Sequence, residues 1–162
     1  MITGSCLCGG IRFEIESAVG PFEICHCNRC RKRSGAAALA MIRVLSSDFK
    51  LVSGRELIKN YDAPLLYRPP AYQSSFCAEC GSPAPPADPE GESLEIPAGL
   101  LDTDPEIKPD KHIFVEFVPP WDRISDGLPR YDVPKLFLER HGVELPQDFQ
   151  VRKHGDSEAR GR

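Results

Sequence analysis

A small, mainly β fold of antiparallel sheets with short helices is the architecture this sequence predicts, and three features carry that expectation. Sixteen prolines and thirteen glycines in 162 residues call for many turns and little long helix. Ile11, Phe13 and Ile15 alternate with Arg12, Glu14 and Glu16, the period-two mark of a half-buried strand. Seven cysteines fall in Cys-x-Cys and Cys-x-x-Cys spacings, which fit metal staples in a reducing compartment better than a disulfide scaffold. A disulfide between cysteines only two apart in a strand would close a strained ring. The length suits one domain, expected over residues 1–150. Residues 151–162 are charged and almost free of apolar side chains, the composition of a flexible tail.

Further elements follow the same signals. Ala36 to Val44 reads as a strand, although its small residues could also continue a short helix begun near Asn28. Phe49 to Val52 and Glu56 to Tyr61 flank Ser53-Gly54-Arg55 and read as a hairpin. Gln73 to Phe76 leads as a strand into Cys77, and Ser93 to Ile96 and His112 to Val118 are two more. Pro134 to His141 is the best helix candidate, with proline at its start and Gly142 beyond its end.

Composition narrows the function. A formal charge of −4 and a pI near 5.6 lack the basic face that nucleic-acid binding requires. No apolar run approaches the roughly 20 residues that span a bilayer. Met1 to Ser5 shows neither the basic start nor the apolar stretch of a signal peptide, so a cytoplasmic location is expected.

The cysteines divide into two groups. Cys77-x-x-Cys80-Gly81 has the form of a zinc knuckle, and Cys6 with Cys8 would complete a tetrahedral four-thiolate site, closed and therefore structural. Cys25-His26-Cys27-Asn28-Arg29-Cys30 places three thiols within six residues. Zinc on three protein ligands keeps a fourth position for substrate. Three thiolates weaken the ion as a Lewis acid, so this site suits holding another sulfur as thiolate rather than activating water. A closed second site is the alternative, its fourth ligand coming from His26, His112, His141 or an aspartate. His26 is the poorest of these, because side chains between Cys-x-Cys ligands tend to face away from the metal.

The stretches Gly4–Gly10, Cys25–Gly35, Phe76–Ser82, Gly99–Asp102, His112–Val115, Pro120-Trp121 and Asp126–Pro129 resemble the glutathione-dependent formaldehyde-activating enzyme family. The resemblance covers about residues 4–132 and includes a likeness to centromere protein V-like domains. It implies a β-tent-like fold with two zinc ions. Cys6, Cys8, Cys77 and Cys80 would hold the structural ion, and Cys25, Cys27 and Cys30 the catalytic one. The implied activity is that of a carbon–sulfur lyase acting on adducts of glutathione-type thiols with small aldehydes such as formaldehyde. The chain departs from the family pattern at Ser74, where an arginine commonly stands, and along the proline-rich Ala84–Pro89.

Other residues complete the expectation. Arg29, Arg31, Lys32 and Arg33 either steer an anionic thiol toward the three cysteines or offset their negative charge. Trp121 reads as core more readily than as a pocket wall, and Asp102 as a turn cap near the site rather than a base. Two further functions compete with the enzyme: a non-catalytic zinc module that binds a protein, and a thiol switch built on Cys25, Cys27 and Cys30.

Overall fold

The computed structural model describes residues 1–17, 20–63, 73–146 and 149. The expected tail at 151–162 lies outside these. Among the described residues the chain forms ten strands in three sheets and two α-helices. Before helix α1 (Asn28–Ser34) come β1 (Ile2–Ser5), β2 (Arg12–Ile15) and β3 (Phe22–Cys25). After it come β4 (Leu39–Leu45), β5 (Phe49–Ser53), β6 (Ile58–Asp62) and β7 (Gln73–Cys77). Then follow β8 (Ser93–Pro97), β9 (Lys111–Ile113), β10 (Arg130–Tyr131) and α2 (Val133–His141). The mainly β expectation holds.

The sheets run β1-β2-β5, β10-β9-β3-β4-β8 and β6-β7. The alternation in β2 does what its pattern demands: Phe13 and Ile15 are buried and Arg12 is exposed. These two side chains meet Phe22, Ile42, Val44, Leu94 and Ile96 of the five-stranded sheet. Burying each large apolar side chain stabilises by about 1.5–3 kcal/mol, so this contact is what binds the two larger sheets. Gly4 is required there, since a Cβ would come within 2.2 Å of the Phe13 ring.

Three features differ from the sequence reading. The expected hairpin at 49–61 does not form: β5 pairs with β2, and β6 pairs with β7. Between them Gly54, at φ 82°, precedes a 3-10 turn over Arg55–Leu57 and packs so tightly on Gly10 that a Cβ would lie 2.4 Å from its carbonyl. That close approach sends the two strands into different sheets. The strand expected over 112–118 stops at Ile113, because Phe114 adopts φ 59° and a 3-10 turn follows. The five-stranded sheet is also mixed, with β9 parallel to both β3 and β10; periodicity carries no information about strand direction.

The ambiguity after Asn28 resolves into a helix and then a strand. Gly35, at φ 67°, ends α1 with its N–H on the Arg31 carbonyl, and β4 starts at Leu39. α2 begins behind Asp132, whose carboxylate accepts from the Lys135 N–H, and ends at Gly142. Its Val133 and Leu136 pack into the same cluster as Cys25, Cys27 and Cys30. Arg140 of α2 reaches Glu23 of β3 at 2.6 Å, and Glu139 pairs with Lys111.

Candidate metal centres

The chain brings Cys6, Cys8, Cys77 and Cys80 together with all four sulfurs within 4.8 Å of one another. Cys6 follows β1 and Cys77 ends β7, so each half of the cluster hangs from a strand end. Cys6 and Cys8 sulfurs lie 3.4 Å apart and Cys8 and Cys77 sulfurs 3.9 Å apart. These separations are close to the roughly 3.8 Å between two thiolates on a tetrahedral zinc, and far from a disulfide bond length. Backbone amides serve the sulfurs, as the Ile11 N–H points at the Cys6 sulfur at 3.3 Å. Ser82 ties the halves together: its hydroxyl accepts from the Leu7 N–H and lies 3.3 Å from the Cys80 sulfur. That hydroxyl and the Ser82 backbone pull the Cys80 thiol down to about 6.

Cys25, Cys27 and Cys30 form the second group. β3 delivers Cys25, and Cys27 stands as the N-cap of α1, its sulfur accepting from the Cys30 N–H at 3.4 Å. One helical turn therefore folds the third thiol back onto the first two. All three are buried, at 4%, 1% and 6% exposure. The trio shares charge unequally. Hydrogen bonds from Cys25 and Cys30 hold the Cys27 thiol far below the usual range, helped by Arg29. Hydrogen bonds with Cys27 and Cys30, together with burial, push Cys25 well above it, and Cys30 also rises. The three sulfurs, hydrogen-bonded to one another, form a cradle of soft donors. Its soft, unlinked sulfurs fit a thiophilic cation such as zinc, and so do those of the first group. No histidine or carboxylate joins the three sulfurs among the described residues.

The histidines weighed as fourth ligands are engaged elsewhere. Nε2 of His26 lies 2.8 Å from Nδ1 of His112, whose Nε2 lies 2.9 Å from Oδ1 of Asp126. His141 stacks on Phe137 with ring centres 4.5 Å apart. The His26–His112–Asp126 chain escaped the sequence reading, which weighed His26 as a poor ligand and His112 as a ligand or a surface or core residue. Two histidines and an aspartate within the family-like stretches were the available signal.

The basic residues divide in role. The Arg29 charge favours the thiolate form of Cys27 and works against the rise at Cys30, which is charge offset. Arg33 donates from Nη2 to the carbonyls of Ser75 and Ala84, joining α1 to the strand that carries Cys77. Arg31 donates to Asn28, and Lys32 is exposed. One expectation is corrected and one holds. Trp121 is 72% exposed and is not core; its turn, in which the Asp122 N–H donates to the Pro119 carbonyl, leaves it outside the packed clusters. Asp102 accepts from the Ser5 hydroxyl and donates its N–H to the Thr3 carbonyl. It therefore caps β1 beside Cys6, in the capping role expected of it. Ser74 is half-buried on β7, opposite Tyr61. Its strand neighbours Gln73 and Ser75, not Ser74 itself, line a pocket of about 260 Å³ with Arg33, Met41 and residues of the proline-rich loop and β8. Met41 also packs in the cluster that holds the three buried cysteines.

Comparison with known proteins adds three findings. A family model described as glutathione-dependent formaldehyde-activating enzyme matches residues 1–117. A protein of Halomonas elongata, provisionally named a glutathione-dependent formaldehyde-activating enzyme, is 32% identical over 128 residues, which cover 77% of this chain and 82% of that one. The crystal structure of a Rhodobacter sphaeroides protein aligns with a TM-score of 0.48 at 20% identity, over 80% of this chain and 98% of that one.

Proposed function

The chain belongs to the glutathione-dependent formaldehyde-activating enzyme family, and on that premise we propose that it adds a glutathione-type thiol to a small aldehyde at Cys25, Cys27 and Cys30, or runs the reverse carbon–sulfur cleavage. The single observation that carries this reading is a trio of converging, unlinked sulfurs with no fourth protein donor among the described residues. In the same reading Cys6, Cys8, Cys77 and Cys80 hold a structural zinc. A zinc ion on the trio would supply a site at which a fourth sulfur is kept as thiolate. A free thiol, with a pKa near 8.5, is only a few per cent nucleophilic at neutral pH, and removing that limit is worth roughly 2 kcal/mol.

The reaction then needs little else. The thiolate sulfur adds to the carbonyl carbon, a carbon–sulfur bond forms, and the carbonyl electron pair moves to oxygen, which takes up a proton. Reversal breaks that bond and returns the thiolate. Phe114, Phe117, Val133 and Leu136 surround the cysteines with apolar surface, which keeps water away and strengthens the electrostatics. Arg29 offsets the accumulating negative charge. Free cysteines throughout the chain suit a reducing cytoplasm.

Burial of all three sulfurs favours a second reading, a non-catalytic zinc module. Titrating the cobalt-substituted protein with glutathione separates the two. The enzyme reading expects a gain in sulfur-to-cobalt charge-transfer intensity that is lost in Cys27→Ser. A spectrum indifferent to thiols up to millimolar concentration refutes it.

A further inference from the structure

Helix α1 carries the third thiol of the trio and is only seven residues long, too short to keep its place by its own hydrogen bonds. Its position comes from what grips it at each end. Cys27 caps the first turn. Arg33 lies three residues beyond Cys30, one turn along the same face. Its Nη2 donates to the Ser75 carbonyl at 3.1 Å and to the Ala84 carbonyl at 3.2 Å.

Those two acceptors come from opposite sides of the knuckle in the four-cysteine group. Ser75 precedes Cys77 by two residues, and Ala84 follows Cys80 by four. They are adjacent because the chain closes on itself around Cys77 and Cys80. The Ala84 N–H donates to the Ser75 carbonyl at 3.0 Å, the Cys77 N–H donates to the Ser82 carbonyl at 2.8 Å, and Phe76 bridges to Pro83. Ser75 is 4% exposed and Ala84 2%, and Ala84 packs in the cluster that contains Cys6 and Cys77. A carbonyl has two lone pairs, so the Ser75 oxygen serves both the Ala84 amide and the guanidinium. Bonds from a charged donor are roughly twice as strong as neutral ones, and opening the loop between the two acceptors would part them.

We infer that Arg33 is a positioning residue that couples the two cysteine groups. Closing the Cys6, Cys8, Cys77 and Cys80 site sets the Ser75–Ala84 acceptor pair. The pair fixes the second turn of α1 through Arg33, and α1 in turn holds Cys30 against Cys25 and Cys27. Coupling of this kind is reciprocal, so filling the trio tightens the knuckle in return. The inference rests on the reading above that both groups hold zinc, and it is independent of the thiol and aldehyde used.

A double-mutant cycle on the zinc-saturated protein tests the link, with amide hydrogen exchange at Ala84 as the readout. Cys27→Ser takes a ligand from the trio while leaving an oxygen to cap α1. In the parent background it should speed Ala84 exchange about tenfold. In Arg33→Met, which keeps the stem and removes the donors, the same change should alter exchange less than about twofold. If Arg33 contributed to stability alone, the effect of Cys27→Ser would be equal in both backgrounds, and that result overturns the inference. An Ala84 amide indifferent to Cys27→Ser in the parent overturns it too. In the other direction, Arg33→Met should weaken zinc at the trio about tenfold in chelator competition, and an unchanged affinity there refutes the link. A chain that shows the coupled exchange yet ignores glutathione refutes the proposed function and leaves the link standing. One that takes up glutathione while the exchange effects simply add does the reverse.

Discussion

The four-cysteine cluster matches the ligand number of a tetrahedral ion yet lies partly at the surface, with Cys8 exposed and Cys80 half-buried. The three-cysteine cluster has no fourth donor among the described residues and is buried throughout. Burial and closure are thus separate properties. The first cluster joins chain segments about seventy residues apart, and its surface position costs little because nothing has to enter. The second is made within six residues of sequence and sits under α2, Phe114 and Phe117, where low dielectric makes one extra charge count for more.

The sharpest break of that comparison is Cys77→Ser. Cys77 is fully buried at the end of β7, and on the proposed reading its loss should remove the zinc that would join β7 to β1. Stability should fall by at least about 4 kcal/mol, seen as collapse of the thermal transition together with loss of zinc. A variant that keeps its Tm would show the cluster to be dispensable. Cys27→Ser should behave oppositely: the fold survives with a loss of about 1–3 kcal/mol, while adduct formation drops at least about a hundredfold. Zinc per chain and turnover, measured on the same sample, check this.

The cover over the trio is tested by Arg140→Ala, which strands the buried Glu23 carboxylate. Because Arg140 keeps 28% exposure, the cost should be about 2–3 kcal/mol, below that of breaking a fully buried pair. Burial raises the Glu23 carboxyl above its usual range, with Arg140 working against it. The native state therefore keeps this proton to higher pH than the unfolded chain does, so Glu23 removes stability as pH rises through that window. The gap between variant and parent should widen in the same direction, and urea unfolding across a pH series would show it. The smallest effect belongs to Arg29→Gln. Removing this charge from beside Cys27 and Cys30 should weaken zinc at the trio by about two- to fivefold, equivalent to ~0.5–1 kcal/mol. Chelator competition should find the four-cysteine site unchanged.

Much of both clusters was legible in the chain because thiol spacing is local chemistry. Cys25, Cys27 and Cys30 need only one helical turn to converge, and the knuckle at Cys77 and Cys80 needs only its following glycine. Strand periodicity likewise exposed Phe13 and Ile15 as core. Partner choice was not legible: Phe49–Val52 looks ready to pair with its sequence neighbour, yet it pairs with β2, where Phe49 and Leu51 pack on the core and Gly54 sits against Gly10. Trp121 carries no periodic pattern that would reveal its exposure.

What the sequence determined by itself is therefore the donor set, its division into four and three sulfurs, and the β character of the chain. Each of these depends on residues close together or on a repeating pattern. Only the tertiary structure decided that β9 lies parallel to β3 and so carries His112 to His26, with Asp126 behind it. Side chains 86 residues apart meet through a pairing whose register depends on the whole five-stranded sheet, and no local spacing encodes that.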